Sequence, residues 1–272
     1  MSDSPRPWRI MSIMAHQDDL EFNAAGSFIR MRQSLGDDVQ FKIITTNRGL
    51  SGHHEMNDQQ TFDRRQQEAK AAAAMINAEY ECLRQLDGSL VPGQVMINSN
   101  LLGGLWNTIR AYEPHVIFCP PVTRDPLAGI HIDHENTAAA IRMLAYQIAV
   151  PHAFPTMDCP VKQRVVTPLI INVDDMYASE GHFDVRQEIT QAWETKVAMA
   201  MCHESQIFEW LPFVKNEPVP TKEQWAKAFH ERHININRRY GQADDTLSEY
   251  FRITRWGRAP LSGEMEKLFP AK

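Results

Sequence analysis

The stretch that decides the fold is residues 8–19, which reads WRIMSIMAHQDD. Its first seven residues form the short apolar run expected of a buried strand, and a histidine with two carboxylates follows at once. A second cluster, residues 129–134, reads GIHIDH and lies far downstream. Catalytic zinc takes three protein ligands from His, Asp or Glu and leaves one position open for water. The sequence therefore predicts a hydrolytic metal site built from two distant segments.

Within these segments His16, Asp19 and His134 make up a His₂Asp ligand set, which suits zinc better than magnesium or calcium. Asp18 lies beside a ligand and can act as the base that activates water. Asp133 is placed to orient one of the imidazole rings. Each segment alone has a simpler explanation, because Asp-Asp pairs cap helices or form turns and H-x-D-H occurs in solvated loops. Their combination favours the metal site.

Strand-like and helix-like runs alternate along the chain, which predicts an α/β fold, Rossmann-like and three-layered, with a mostly parallel sheet. Ligands of such sheets lie at the carboxyl ends of the strands, where both segments are expected. A nucleotide-binding protein is disfavoured, because the first strand–helix turn lacks G-x-G-x-x-G. The predicted strands are 8–14, 41–46, 80–83, 115–119 and 165–173, and the predicted helices are 26–33, 61–78, 98–112, 135–148 and 184–202.

The chain has 272 residues, no internal repeat and no low-complexity tract. We predict a single domain over residues 1–272, with a less regular rim at about 151–180 and a C-terminal extension at about 211–272. The formal charge of −6 argues against nucleic acid as the main partner. No segment approaches the roughly 20 apolar residues of a membrane span, and the N-terminus lacks the apolar core of a secretion signal. A cytoplasmic location is the resulting expectation.

The cysteines are scattered, without a C-x-x-C pair, so simple thiols are expected rather than a disulfide framework or a cysteine zinc cluster. Any metal site must then consist of histidine and carboxylate. The cysteines are Cys82, Cys119, Cys159 and Cys202.

Residues 15–21, AHQDDLE, and the later H-x-D-H resemble the signature of the PIG-L/LmbE-like zinc-dependent N-acetylglucosaminyl deacetylases, which reads A-H-P-D-D-x-E, then Gly, with a later H-x-D-H. Gly26 stands at the glycine position. The resemblance covers roughly residues 8–210 and continues in TNRG (46–49), RQQEA (65–69), Lys196 and HESQ (203–206). Two residues depart from it: Gln17 replaces a proline that stiffens the turn, and Ser27 replaces the second glycine.

The resemblance implies that His16, Asp19 and His134 bind zinc, although other divalent transition metals suit such a site. It also implies that Asp18 is the general base and that His131 stabilises the oxyanion or protonates the leaving amine. The implied reaction is metal-assisted hydrolysis of an acetamide. Its implied substrate is a small N-acetylated sugar or conjugate.

The implied substrate-binding residues are Arg65, Asn47 and Asp87, and two of them, Arg65 and Asp87, have a structural alternative. Arg65 would be a surface arginine on an amphipathic helix, and Asp87 would form a turn with Gly88. For the function itself two alternatives stay open. One is a related amidase that cleaves a larger acyl group or a thiol conjugate, and the other is a non-catalytic carbohydrate-binding protein of the same fold.

Overall fold

The computed structural model describes residues 7–157, 165–175, 182–242 and 245–271. Its strands are β1 (Trp8–Met14), β2 (Val39–Thr45), β3 (Ala78–Cys82), β4 (Val116–Cys119), β5 (Leu169–Val173), β6 (Val185–Glu188) and β7 (Ser248–Ile253). They form one sheet in the order β3-β2-β1-β4-β5-β7-β6. The first five strands are parallel, whereas β7 runs antiparallel to both β5 and β6. The predicted α/β class with a mostly parallel sheet is confirmed.

Helices cover both faces of the sheet. They are α1 (Asp19–Asn23), α2 (Ala25–Leu35), α3 (Asp58–Ala74), α4 (Ser99–Tyr112), α5 (Ile132–Gln147), α6 (Trp193–Met201), α7 (Leu211–Lys215), α8 (Lys222–Arg239) and α9 (Glu264–Leu268), with a π-helical segment at Ser205–Trp210. Alternate residues of β1 serve the two faces: Ile10 joins the core beneath α2, and Met11 joins the core beneath α4 and α5. A strand buried on both faces reads as a nearly continuous apolar run, which explains residues 8–14.

Three predicted elements need correction. Residues 184–202, predicted as one helix, contain β6 and only then α6, because 185–188 pair along β7 at the edge of the sheet. The helix predicted at 135–148 begins earlier, since His131 is the N-cap of α5 and residues 132–134 form its first turn. The helix predicted at 61–78 begins at Asp58 behind an Asn57 capping box and ends at Ala74.

The C-terminal segment is part of the sheet. The Glu249 carboxylate of β7 accepts hydrogen bonds from the backbone N–H groups of Gly26 and Ser27 at the start of α2, at 2.9 and 2.7 Å. It also pairs with the fully buried Lys196 ammonium of α6 at 2.5 Å. A side chain at position 26 would meet Ile189 at 2.7 Å, which explains the glycine there. Residues far apart in sequence thus hold α2, the helix that follows Asp18, Asp19 and α1.

Some predictions fall partly outside the described residues. Of the rim predicted at 151–180, residues 158–164 and 176–180 lie outside, and so does Cys159. Cys82, Cys119 and Cys202 are free thiols. Within the described residues, every helix is too short or too polar to span a bilayer.

Candidate metal centre

The three predicted ligands converge just past the carboxyl end of β1. His16 Nδ1 lies 3.2 Å from His134 Nε2, and His134 Nε2 lies 3.4 Å from Asp19 Oδ1. The other Asp19 oxygen accepts the His16 backbone N–H at 2.8 Å, which orients the carboxylate. Both Asp19 and His134 are buried. The segments that the sequence separates by more than a hundred residues therefore present two nitrogens and one oxygen to a common point.

Each imidazole contacts a carboxylate through the nitrogen that faces away from the shared point. This contact decides which nitrogen carries the proton in the neutral ring. Asp133 Oδ2 lies 2.9 Å from His16 Nε2, and Asp175 Oδ2 lies 2.6 Å from His134 Nδ1. Each carboxylate accepts an N–H, so in the neutral ring the opposite nitrogen presents a lone pair to the shared point. Metal-binding histidines have this second partner almost without exception.

The donor set fits a tetrahedral zinc ion. With Zn–N bonds of about 2.0–2.1 Å, two ligand nitrogens of a tetrahedral site lie about 3.3 Å apart, close to the 3.2 Å between His16 and His134. Burial disfavours a charged ring, but the carboxylates of Asp133 and Asp19 outweigh it and raise the pKa of His16 to about 9. The pKa of His134 is also raised, by Asp19 and Asp175, against the effect of burial. The same negative surroundings favour a metal cation at this point.

Asp133 is itself held in place by two groups besides His16. The Val95 backbone N–H donates to its Oδ1 at 2.7 Å, and Asn47 Nδ2 donates to its Oδ2 at 2.9 Å. Burial alone would raise the pKa of Asp133, but the bonds from His16 and Val95 lower it below its ordinary value. Asp133 is therefore an anion that fixes the His16 ring.

Asp18, the predicted base, pairs with the buried Arg65 of α3. Arg65 Nη2 donates to Asp18 Oδ1 at 3.0 Å, and Nη1 donates to the Gly49 carbonyl at 3.2 Å. Gly49 has a φ of 74°, and a side chain there would lie 2.5 Å from the guanidinium. Only glycine fits between the loop and this arginine. Arg65 is 3% exposed, so it is not a surface residue.

His131 lies at the edge of the cluster, with its ring centroid 4.8 Å from that of His16. Its Nδ1 accepts the Asp133 backbone N–H at 3.3 Å, as the N-cap of α5. In the neutral ring the proton is then on Nε2, which leaves a donor. Burial, together with the charges of His16 and His134, lowers the pKa of His131 and favours this neutral form.

The three predicted substrate-binding residues occupy different positions. Arg65 contacts Asp18, and the Asn47 amide contacts Asp133 and accepts the Gly49 N–H at 2.6 Å. Asp87 is exposed, and its carboxylate accepts hydrogen bonds from Ser89 in its own turn and from Asn100 in α4. Among the described residues, none of these bonds links Asp87 to the ligand cluster.

Sequence reasoning missed one residue of the centre and the contact that another makes. Asp175, the partner of His134, belongs to an Asp-Asp pair that follows the apolar strand β5, much as Asp18-Asp19 follows β1, and this parallel was the available signal. Gln17, which departs from the family pattern, is 2% exposed, and its Nε2 donates to the Asn47 carbonyl at 3.2 Å. That bond ties the turn to the loop after β2 where a proline would stiffen it.

The comparisons with known proteins agree with this fold. The model of the PIG-L family, described as GlcNAc-PI de-N-acetylase, matches residues 11–145. Sequence comparison with curated proteins finds no match.

Three solved structures share the fold at low sequence identity. The N,N'-diacetylchitobiose deacetylase from Pyrococcus horikoshii is 17% identical, with a TM-score of 0.68 over 91% of this chain and 84% of that one. The 4-carboxy-2-hydroxymuconate hydratase GalB from Pseudomonas putida KT2440 is 18% identical, with a TM-score of 0.60 over 93% of this chain and 97% of that one. A deacetylase of teicoplanin biosynthesis is 12% identical, with a TM-score of 0.55 over 91% of this chain and 99% of that one.

Proposed function

This chain belongs to the PIG-L family through residues 11–145, and on that premise we propose that it is a zinc-dependent N-deacetylase of an N-acetylated amino sugar or its conjugate. One observation carries the proposal: His16, His134 and Asp19 converge, and a carboxylate fixes each imidazole from behind. Structural neighbours that deacetylate N,N'-diacetylchitobiose or act in teicoplanin biosynthesis support the same reaction class.

Zinc is the proposed metal, because its ordinary ligands are imidazole and carboxylate, although iron, cobalt or manganese also bind such donors. When bound, the ion would polarise the acetamide carbonyl and lower the pKa of a water molecule to about 7. His16, His134 and Asp19 would hold it. Each imidazole would bind it through the nitrogen opposite the one that contacts Asp133 or Asp175.

Asp18 is proposed to accept the proton of the attacking water. Its carboxylate directly precedes the ligand Asp19, and Arg65 restrains one of its oxygens at 3.0 Å. The other oxygen would then take the proton, and a base held in one orientation is the arrangement that general base catalysis needs.

His131 is proposed to act at the carbonyl oxygen and the leaving amine. The neutral ring holds its proton on Nε2, since Nδ1 is occupied by the Asp133 backbone N–H. A donor at the edge of the cluster can stabilise the negative oxygen as it develops and then protonate the amine. Arg65 and Asn47 act in this proposal through Asp18 and Asp133, while Asp87 stays a predicted substrate contact.

The test is an amine-release screen over N-acetylglucosamine, its glycosides and its thiol conjugates. Parallel samples contain a chelator or the same chelator saturated with zinc. We expect release from at least one compound, its loss with the free chelator and its retention with the saturated chelator. Absence of chelator-sensitive release from every compound would reject the deacetylase.

Two further sets of substrates distinguish the deacetylase from the alternative functions. N-acyl glucosamines with longer chains test the related amidase, whose preferred substrate would carry the larger acyl group. Because the hydratase GalB shares the fold, 4-carboxy-2-hydroxymuconate tests water addition, which removes the conjugated absorbance and releases no amine. Tight sugar binding without turnover in any arm would favour the non-catalytic carbohydrate-binding protein.

A further inference from the structure

Gln17 lies in the turn between a proposed ligand and the proposed base, and its side chain is buried. It follows His16 and precedes Asp18, and 2% of its surface is exposed. Its Nε2 donates to the Asn47 carbonyl at 3.2 Å. The family signature has a proline at this position, and a proline side chain has no hydrogen-bond donor. The contact therefore depends on the residue that is particular to this chain.

Packing alone does not account for an amide at position 17. Across the residues that the structure describes, Gln17 Oε1 is buried without a hydrogen-bond partner. A buried carbonyl oxygen without a donor costs free energy, and a methionine of similar length would fill the same space without that cost. The bond from Nε2 to Asn47 is then the contact that distinguishes glutamine from an apolar residue here.

That bond holds the start of the segment 47–49, which leads away from the carboxyl end of β2. The Asn47 backbone N–H donates to the Ala15 carbonyl at 3.0 Å, so one side of this residue is held by the backbone alone. Its carbonyl, on the other side, contacts Gln17 Nε2 at 3.2 Å and Cys82 Sγ at 3.6 Å. Gln17 thus supplies the stronger donor that orients the peptide leading to Gly49, since a thiol is a weak donor.

The segment 47–49 in turn contacts the arginine that pairs with the base. The Gly49 carbonyl accepts Arg65 Nη1 at 3.2 Å, and Arg65 Nη2 donates to Asp18 Oδ1 at 3.0 Å. A side chain at position 49 would lie 2.5 Å from both Arg65 Nη1 and Gln17 Oε1, so the two side chains pack against the same side of Gly49.

These contacts form a closed ring around the proposed base. Its covalent parts are the peptide 17–18 and the segment 47–49, and its other parts are the Gln17 bond and the Arg65 bridge. Because the covalent parts have few conformations, loss of the Gln17 bond should loosen the bridge as well. The ring leaves one way for this turn to affect Asp18 through space, which is through Arg65.

We propose that Gln17 is a positioning residue, which holds the segment 47–49 against the turn and thereby fixes Arg65 and the orientation of Asp18 for turnover. This inference rests on the proposed deacetylase function, in which Asp18 is the base. Metal binding should not depend on Gln17, because the Ala15 bond also holds Asn47. The rival role is that Gln17 only stiffens the turn, as a proline would.

Two substitutions distinguish these roles. Gln17→Met keeps the length of the side chain without its donor, and Gln17→Pro stiffens the turn without the contact. With the compound of the amine-release screen that is turned over fastest, we expect kcat to fall about tenfold or more in both, since a small misplacement of a reacting group can cost about 100-fold. KM and zinc content should change little. Gln33→Met, exposed on α2, is the control and should keep full turnover.

Three results would overturn the positioning role. They are full turnover in Gln17→Met, full turnover in Gln17→Pro, and a loss of turnover that merely follows a loss of zinc. The first shows that the amide is not needed, and the second shows that stiffness of the turn suffices. The third places the effect of Gln17 on the metal.

A second background tests the route through Arg65. In Arg65→Lys a single ammonium replaces the planar fork that bridges Gly49 and Asp18. Adding Gln17→Met should then lower kcat little further, because residues that act through one contact are not additive. Losses that multiply independently would show another route and overturn the proposal. This comparison also decides the matter if Gln17→Pro does not fold.

Hydrogen exchange of the zinc-loaded protein separates this inference from the deacetylase. Mass spectrometry should show about tenfold faster exchange across residues 46–52 in Gln17→Met, as expected for the loss of one hydrogen bond, and unchanged exchange in α4. If no compound releases amine but exchange in 46–52 increases, the anchoring by Gln17 stands and the deacetylase fails. Amine release by the unaltered protein with unchanged exchange in Gln17→Met supports the deacetylase and rejects the positioning role.

Discussion

At the scale of single residues, the centre depends on where each imidazole holds its proton. Asp133 and Asp175 each accept an N–H from a ring whose other nitrogen faces the shared point. Neither carboxylate is a proposed ligand, but without it the ring can rotate or bind its proton on the wrong nitrogen. Residues behind the ligands are therefore expected to affect metal binding nearly as much as the ligands themselves.

Replacing Asp175 with Asn tests this idea directly. The amide can still contact His134 Nδ1 but no longer supplies a negative charge, so we expect zinc affinity to fall about 10- to 100-fold. Competition with a chromophoric chelator measures it. Asp38→Asn, an exposed substitution of the same kind, is the control and should bind zinc as the unaltered protein does. Equal affinities in all three proteins would contradict the assignment of Asp175.

Replacing Asp18 with Asn tests its proposed role as the general base separately from metal binding. The side chain keeps its shape and its position beside Asp19, while the oxygen that would take the proton is no longer basic. We expect zinc content to persist and kcat to fall by about 10²- to 10⁴-fold, the usual contribution of a general base. Amine release and metal analysis on the same sample measure both. Asp63→Asn, exposed on α3, serves as control, and near-full turnover of Asp18→Asn would exclude Asp18 as the base.

At the scale of elements, the start of α2, which follows the proposed centre in sequence, is held by β7, a strand from the C-terminal part of the chain. The Glu249 carboxylate of β7 satisfies two N–H groups at the N-terminus of α2 and pairs with the buried Lys196 of α6. A negative charge at a helix N-terminus is favourable, and here it also neutralises an ammonium that has no access to water. This arrangement connects α2, α6 and β7, next to α1, which contains the proposed ligand Asp19.

Glu249→Gln should therefore destabilise the whole protein. The amide leaves the Lys196 ammonium buried without an anion, and removing one partner of such a pair costs about 3–5 kcal/mol. Urea unfolding, followed by circular dichroism, measures the loss in the free energy of unfolding. Glu266→Gln, at an exposed position of α9, should change it by less than about 0.5 kcal/mol. Similar stabilities of the two variants would show that the pair contributes little.

At the scale of the whole molecule, the C-terminal part packs against elements from earlier in the chain. Helix α8 packs on α6 through His233, whose ring lies 4.9 Å from Trp193 and 4.8 Å from Phe229. His233 Nδ1 donates to the Phe229 carbonyl at 3.0 Å. Burial, aided by the charges of Lys196 and Arg232, holds the pKa of His233 well below its ordinary value. The folded protein therefore keeps this ring neutral.

This neutral ring makes stability depend on pH with a definite sign. Below about pH 6.5 the unfolded chain binds a proton at His233 and the folded protein does not, so acidification favours unfolding by up to about 1.4 kcal/mol per pH unit. In His233→Asn this contribution is missing, so the stability advantage of the unaltered protein should shrink as the pH falls from 7 to 5. Urea unfolding across that range measures the difference. His152→Asn, at an exposed site, should follow the unaltered protein, and parallel curves for His233→Asn would refute the prediction.

Much of this molecule can be predicted from the sequence because the relevant signals are local. Apolar runs alternating with helical patterns suffice for the α/β class, and two short motifs suffice to nominate His16, Asp19 and His134. Prediction failed where the deciding contact is distant. The 185–188 segment is a strand because β7, more than fifty residues later, lies beside it, and its polar sequence contains no signal of that partner.

The sequence by itself thus determined the fold class, the strand ends at which the motifs lie and the residue types of the predicted centre. Only the tertiary structure decided how those residues are placed: which imidazole nitrogen faces the shared point, that Arg65 is buried against Asp18, and that α8 brings Arg232 against α1. The physical reason is that protonation, burial and charge balance depend on neighbours in space. Those neighbours are separated along the chain by 41 residues for His134 and Asp175 and by 209 for Asn23 and Arg232.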